Sequence, residues 1–290
     1  MIGLKIKKAA PHILWIMDVR DPFVKALTPK AKIKHLNKLA QEIGANADYF
    51  VGVTGPCVER FKQQGREADV RVVHNGFDRD DIIQRESDSI SSFVRILYTG
   101  TITPIKDDFN PLFAALVDLI TAGYVDSDKT RVEYAGKDYH LLHNTAARYG
   151  LQHICKNHGF VSRDLSLELQ SECTILLMAR WNNAGETEIL SGKIFEYIMQ
   201  DKPILALISG NLKDSKVKEI ITNANSGFVY EEANKEEDFP RLKDFLLAHY
   251  RAFITGKSLE FSPDREYIEQ FNWKNLAMKF ADIIEGIENR

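Results

Sequence analysis

Residues 185–203 gather more chemistry-bearing side chains than any other stretch of the 290-residue chain. Two carboxylates, Glu188 and Glu196, bracket a small-residue turn at Ser191-Gly192 and a lysine, Lys193. The pattern predicts an apolar helix over 191–199, followed by a buried strand over 203–208. A helix that starts at such a turn presents unpaired backbone N–H groups and the positive end of its dipole, which suits phosphate oxygens. Lys193 adds a point charge at that end. Glu196 lies about one turn further in, where a carboxylate can accept hydrogen bonds from a ribose diol. The outline is that of a nucleoside diphosphate site.

The flanking sequence must hold this segment in place. In the first part of the chain, strands are predicted at 12–17, 49–53 and 70–73, with helices at 30–45 and 56–64. A polar, serine-rich stretch at 81–92 reads as a linker, and Asn75-Gly76 as a turn. Beyond it, strands are predicted at 94–98, 131–135, 154–161, 174–178, 204–208 and 227–230. Helices at 109–122, 138–149, 163–171, 191–199 and 214–224 alternate with them, and the tail from about 236 is helical. The expected organisation is a partial amino-terminal domain at 1–80, the linker, a ligand-binding domain at 93–260, and terminal helices at 261–290 that pack back toward the first domain. Alternation of continuous apolar strands with helices means a parallel sheet covered on both faces. Such sheets bind ligands at the carboxyl ends of their strands, and Gly100, Gly136 and Arg180 are predicted to lie just past such ends.

Composition narrows the classes. Hydrophobic content of 44% with 27% charged residues marks an ordinary globular protein, and a net charge of −3 gives no global reason to expect nucleic acid. Residues 1–40 hold nine basic against two acidic side chains, a balance of +7 that leaves −10 for the rest. Cys57, Cys155 and Cys173 have no metal-ligand or disulfide spacing, which fits a reducing, cytoplasmic compartment. No apolar run reaches the roughly 18 residues of a membrane span. A P-loop is excluded because the gap between Gly185 and Gly192 is too long and Ile194 stands where Ser or Thr is required. No G-x-G-x-x-G follows a predicted strand, which argues against a dehydrogenase. Asp78-Arg79-Asp80-Asp81 looks like a metal-binding D-x-D, but its place at a turn favours a solvated loop and helix cap.

What remains resembles the retaining glycosyltransferases of family 4, which have the GT-B fold of two Rossmann-like domains. The resemblance rests on Glu188 and Glu196 with seven residues between them, inside 191–197, with Asp201-Lys202-Pro203-Ile204 beyond. It rests also on Tyr98 to Ile102 with Lys106 following, on Val73 to Asp78, and on Asp18 to Pro22. The implied fold is α/β and GT-B-like: a complete parallel-sheet donor domain with a partial Rossmann-like amino-terminal domain. The family's first domain carries six or seven strands, whereas three are predicted here, so that domain is read as truncated. A partner chain or self-association would complete it.

By that resemblance Glu196 would hold the donor ribose, and Glu188 would face the transferred sugar. Lys106 would pair with the pyrophosphate, with Gly100, Thr101, Gly192, Lys193 and Arg180 around it. Thr101 stands where the family usually places an arginine, so Lys193 or Arg180 must supply the missing charge. Asp18, Arg20 and Asp21 match the position near the transferred carbon and would orient sugar or acceptor without forming a covalent intermediate. Fixed cations replace a divalent metal in this picture, so no metal and no cofactor beyond a UDP- or GDP-linked sugar is expected.

Plainer readings stand beside these. Glu188 reads also as a solvated loop residue, Lys106 as a surface partner of Asp107 and Asp108, and Arg20-Asp21 as a structural ion pair. His74, His140, His143 and His158 show no ligand spacing. The basic run Lys25–Lys38 is a solvated helix face, or a contact for an anionic membrane surface on its inner, cytoplasmic side. The functional expectation is transfer of a sugar from a UDP- or GDP-sugar to a glycan or lipid-linked acceptor in surface polysaccharide synthesis. The alternatives are a non-catalytic nucleotide-sugar-binding subunit and a GT-B epimerase.

Overall fold

Apolar runs without polar alternation become strands buried on both faces, and such runs form the centre of the larger of two parallel sheets among the described residues. The computed structural model describes residues 2–20, 28–62, 70–82, 91–183, 190–257, 259 and 261–288. It divides into two compact units, one comprising Met1–Gly76, Gly185–Ser191 and Trp273–Arg290, the other Phe77–Ala184 and Gly192–Asn272.

The first unit runs α1 (Ile2–Ala9), β1 (Ile16–Val19), α2 (Lys30–Asn46), β2 (Tyr49–Gly52), α3 (Gly55–Phe61) and β3 (Val70–Val72). Its strands pair in parallel in the order β1-β2-β3. Ile43, Phe50, Val53, Val58 and Phe61 form the core on one face, with the Phe50 and Phe61 rings stacked at 4.2 Å. On the other face Leu276, Phe280 and Ile283 of the C-terminal helix Trp273–Glu288 pack with Ile16, Val51 and Val73. The strand expected from His12 begins only at Ile16. Lys7 takes the carbonyls of Pro11 and Ile13 at 2.9 and 2.8 Å, so these groups are bound before a sheet can claim them. Helix α1 was not evident in the sequence, because eight residues give too short a periodic signal.

The second unit continues β4 (Val94–Thr99), α4 (Asn110–Thr121), β5 (Thr130–Ala135), α5 (Tyr139–Arg148), β6 (Cys155–Gly159), α6 (Arg163–Glu172) and β7 (Ile175–Trp181). It ends with α7 (Gly192–Met199), β8 (Ile204–Ser209), α8 (Lys216–Asn223), β9 (Gly227–Glu231), α9 (Lys235–Thr255) and α10 (Arg265–Glu269). Six strands lie in the order β6-β5-β4-β7-β8-β9, and every neighbouring pair is parallel. The order reverses between β4 and β7, which opens a crevice outside their carboxyl ends. Residues 175–179 and 204–208 are fully or almost fully buried, as strands covered on both faces must be. Strand β7 is longer than its apolar run: Arg180 and Trp181 still pair with Ile208 and Ser209. Arg180 is therefore a strand residue and not a loop residue.

A buried ion network crosses the sheet away from this edge. Glu133, 2% exposed, accepts from Arg95 Nε and Nη2 at 2.8 and 3.0 Å, and pairs with His158 Nε2 at 2.6 Å. Burial opposes its charge, but the hydrogen bonds from His158 and Arg95 outweigh burial and hold its pKa at about 2. Among the described residues no helix is long and apolar enough to cross a membrane.

Because the folded-state pKa of Glu133 lies below its ordinary 4.5, its contribution to stability is complete above that value and is lost as pH falls toward 2. Linkage sets this at about 3 kcal/mol. Urea unfolding at pH 6 and pH 3 should show about 2 kcal/mol of that loss, since pH 3 still lies above the folded-state value, and Glu133→Gln should flatten much of the difference. An unaltered pH dependence in the variant would assign acid sensitivity elsewhere.

Candidate nucleotide site at the carboxyl edge of the second sheet

Three glycines end neighbouring strands. The Gly100 N–H donates to Ala135 O at 2.8 Å and the Gly136 N–H to Gly159 O at 2.8 Å, so the tips of β4, β5 and β6 are tied side by side. Gly136 has no room for a side chain: a Cβ there would meet the Tyr134 hydroxyl and the Gly100 carbonyl. The Tyr134 hydroxyl donates to that carbonyl at 2.8 Å and accepts from the Asp138 N–H at 2.9 Å. Gly100 adopts φ +100°, a conformation that side-chain-bearing residues rarely take.

Above these tips lies a cleft of about 320 Å³ lined by Gly100, Thr101, Gly136, Lys137, Phe160, Ser162, Arg163 and Glu196 among others. Helix α7 delivers Glu196 to it because Ile194, Phe195, Tyr197, Ile198 and Met199 face the core and leave position 196 toward the strand tips. The Tyr197 hydroxyl accepts from the Thr99 N–H at 3.0 Å and fixes the helix against β4. Both Glu196 oxygens are engaged: Oε1 accepts from Gln170 Nε2 at 2.5 Å and Oε2 from Arg163 Nη1 at 3.0 Å. Arg163 also pairs with Asp81. Its side chain is 57% exposed, so its ion pairs are weak and a ligand can displace them.

The cations converge at the crevice itself. Lys193, in the first turn of α7, places its Nζ 3.5 Å from the centroid of the Tyr98 ring. A Cβ on Gly100 would lie 3.7 Å from this nitrogen, so Lys193 stands beside the glycine that ends β4. Lys106 Nζ sits 4.2 Å and the Arg180 guanidinium carbon 5.0 Å from the Trp181 ring centroid. Burial pushes Lys193 down to about 7, and repulsion from Arg180 adds to this, while attraction to Asp107 and Glu196 works the other way. The residue keeps partial solvent access. The Ser191 hydroxyl, just before the helix, is buried with no hydrogen-bond partner among the described residues.

Among the residues singled out in the sequence, Gly100, Thr101 and Glu196 line the one cleft, and Lys193 with Gly192 opens the helix beside it. Lys106 and Arg180 share the Trp181 ring. Glu188 and Asp21 lie outside the described residues, as does Lys25 of the basic run. Asp18 and Arg20 belong to the first unit, where Arg20 donates to Asp18 at 2.7 Å and to Asn75 at 3.2 Å and lies over the Phe280 ring. Asp78 accepts from the Asp80 N–H and caps a short 3₁₀ turn, the capping role expected of that cluster. His74 contacts Val53 O at 2.7 Å. Lys137, Phe160, Arg163 and Gln170 were missed. Only the position of Arg163 at a helix start, just after a strand, signalled it, and nothing local signals Gln170.

No protein-family model matches the sequence, and no curated protein matches it. Solved structures do match, and they establish a GT-B-like fold with Rossmann-like parallel sheets. The lipopolysaccharide outer core galactosyltransferase WaaB superposes with a TM-score of 0.59 at 15% identity, over 98% of this chain and 71% of that one. Sucrose-phosphate synthase from Thermosynechococcus elongatus gives 0.65 at 12%, over 99% and 71%. The pneumococcal O-GlcNAc transferase GtfA, solved in complex with UDP and GlcNAc, gives 0.61 at 13%, over 99% of this chain and 55% of that one.

Replacing Gly136 with alanine should force the tips of β4 and β5 apart. A loss of about 1–3 kcal/mol in unfolding free energy is expected from overpacking. Thermal unfolding checks this, and an unchanged melting temperature would mean that the tips move freely.

Proposed function

We propose that the chain is a retaining glycosyltransferase of the family 4 type, moving a sugar from a UDP- or GDP-linked donor to a glycan or lipid-linked acceptor. The observation that carries the reading is the meeting of Lys193, Gly100 and Glu196 at the reversal point of a parallel sheet. There a cation, a close-approach backbone and a diol acceptor adjoin one cleft. WaaB and GtfA, whose folds are similar, are named as a galactosyltransferase and an O-GlcNAc transferase, which supports transfer of a hexose-type sugar.

In this reading the diphosphate lies against the first turn of α7 with Lys193, Lys106 and Arg180 around it, and the ribose takes Glu196 from Arg163. The cations stabilise the charge that develops as the nucleoside diphosphate departs. The acceptor then attacks from the same face, and the departing phosphate oxygen takes the acceptor proton. Glu188 would hold the transferred sugar, and Asp18, Arg20 and Asp21 would orient sugar or acceptor. No metal takes part. Synthesis of a surface polysaccharide at the cytoplasmic face of an anionic membrane, with the basic segment Lys25–Lys38 toward lipid, is the setting we infer.

A second reading, a nucleotide-sugar-binding subunit without turnover of its own, draws on Thr101 in place of the family's arginine and on the three-stranded sheet of the first unit. Nucleoside diphosphate release from a UDP- and GDP-sugar panel, with acceptor extracts and with EDTA, separates the two. Release that persists in EDTA is expected of the enzyme. Ligand at about 100 times its dissociation constant should add about 2.7 kcal/mol of stability. UDP or GDP should therefore raise the melting temperature, and Glu196→Ala and Lys106→Ala should remove the shift. Persistence of the full shift in both variants would sink the site assignment.

A further inference from the structure

A lysine ammonium normally finds an oxygen. The Nζ of Lys193 has no hydrogen-bond acceptor among the described residues and instead faces the Tyr98 ring at 3.5 Å. That ring is held rigidly, with Phe109 edge-on at 5.3 Å and Tyr134 stacked at 5.9 Å. Its hydroxyl donates to Thr101 O at 2.8 Å and to Asp107 Oδ2 at 3.3 Å. The Thr103 N–H donates to the same carboxylate oxygen at 2.8 Å, while Oδ1 is buried and unpartnered among the described residues. A cation on the ring face and a carboxyl group on the ring's hydroxyl thus meet on Tyr98 at the reversal point.

The charged groups facing Lys193 come from three elements. Asp107 approaches from the turn after β4, Arg180 from β7, and Glu196 from α7 itself. Glu196 is already committed to Arg163 and Gln170, and Arg180 repels. Asp107 is left as the carboxylate with an uncommitted oxygen.

We propose that Asp107, acting through Tyr98, is a positioning residue for the Lys193 ammonium, and that binding of a nucleoside diphosphate is coupled to uptake of one proton by Lys193 Nζ. The proposal rests on the nucleotide reading of the site. The proton comes from solvent: the neutral amine takes it onto its lone pair as the diphosphate arrives, and no other bond changes. Burial lowers Lys193 and raises Asp107, so burial opposes the charge of both groups. An incoming diphosphate supplies the counter-charge that Lys193 lacks and lifts its affinity for the proton. Well below pH 7 the amine is largely charged and affinity is nearly flat. Above it, affinity falls by up to about tenfold per pH unit until the bound-state value is reached.

The test is calorimetric titration with UDP-glucose and GDP-mannose, whose capped diphosphates carry no titrating oxygen in this range, in buffers of differing ionisation enthalpy. Uptake near zero is expected at about pH 6 and approaching one proton above about pH 8, with affinity at least about tenfold weaker there. Lys193→Arg, permanently charged, should bind with no pH dependence. Asp107→Asn should keep the affinity at pH 6 but begin to lose it at lower pH than the parent, and Tyr98→Phe should shift in the same direction. A parent affinity that does not change with pH, zero uptake at high pH, or a Lys193→Arg variant that keeps the pH dependence would overturn the coupling. An equal loss at both pH values in Asp107→Asn and Tyr98→Phe would make Asp107 merely structural. Failure of both nucleotides to bind at either pH would overturn the nucleotide reading first, and this proposal with it.

Discussion

Parallel pairing is the constraint on which the second unit depends. When all six strands run the same way, all their carboxyl ends meet at one edge, and each crossover helix that follows starts there. Glycine turns, helix amino termini and the side chains just beyond the strands are therefore concentrated on a single rim. The reversal of strand order between β4 and β7 breaks that rim into a crevice, because the helices on the two sides leave in opposite directions. Nothing else in the unit needs to be special for a small anionic ligand to find oriented N–H groups and space.

Local energetics at the rim run against burial. Elsewhere the buried charge of Glu133 is matched on both oxygens by Arg95 and His158, which is why it remains ionised. At the crevice the balance is incomplete. Lys193 leans on an aromatic face, Asp107 keeps one oxygen unpartnered among the described residues, and Arg163 bridges Glu196 and Asp81 from an exposed position. Desolvated groups with unmet partners cost free energy in the empty protein, and a ligand that supplies those partners recovers it. Glu133 is thus matched within the protein, whereas Lys193 and one oxygen of Asp107 at the sheet edge are not matched among the described residues.

Most of the fold was legible because the central strands β7 and β8 are continuous apolar runs and the other strands of the second sheet alternate with helices in phase, even where, as in Cys155–Gly159, the strand itself is polar. Boundaries moved where polar residues pair as strand, as Arg180 and Trp181 do beside β8, or where a side chain captures backbone groups early, as Lys7 does before β1. The candidate site was legible only where local pattern carried it. Glu196 and Lys193 sit in one helical turn with an unmistakable apolar face, and Gly100 follows a strand. Arg163 and Gln170 come from a different helix, and their relation to Glu196 depends on how α6 and α7 lie against the same strands.

The sequence alone determined strand and helix identity in the second unit, the parallel class, the glycine-ended strands and the placing of a cation and a carboxylate in the first turns of α7. These follow from hydrophobic period and backbone sterics, which act over a few residues. Tertiary structure decided strand order, and with it which rim residues share a cleft. It also decided that Lys193 faces Tyr98 and Asp107, which lie more than eighty residues earlier in the chain. Desolvation and charge coupling act through space, so no reading of neighbours in sequence could assign the state of that lysine.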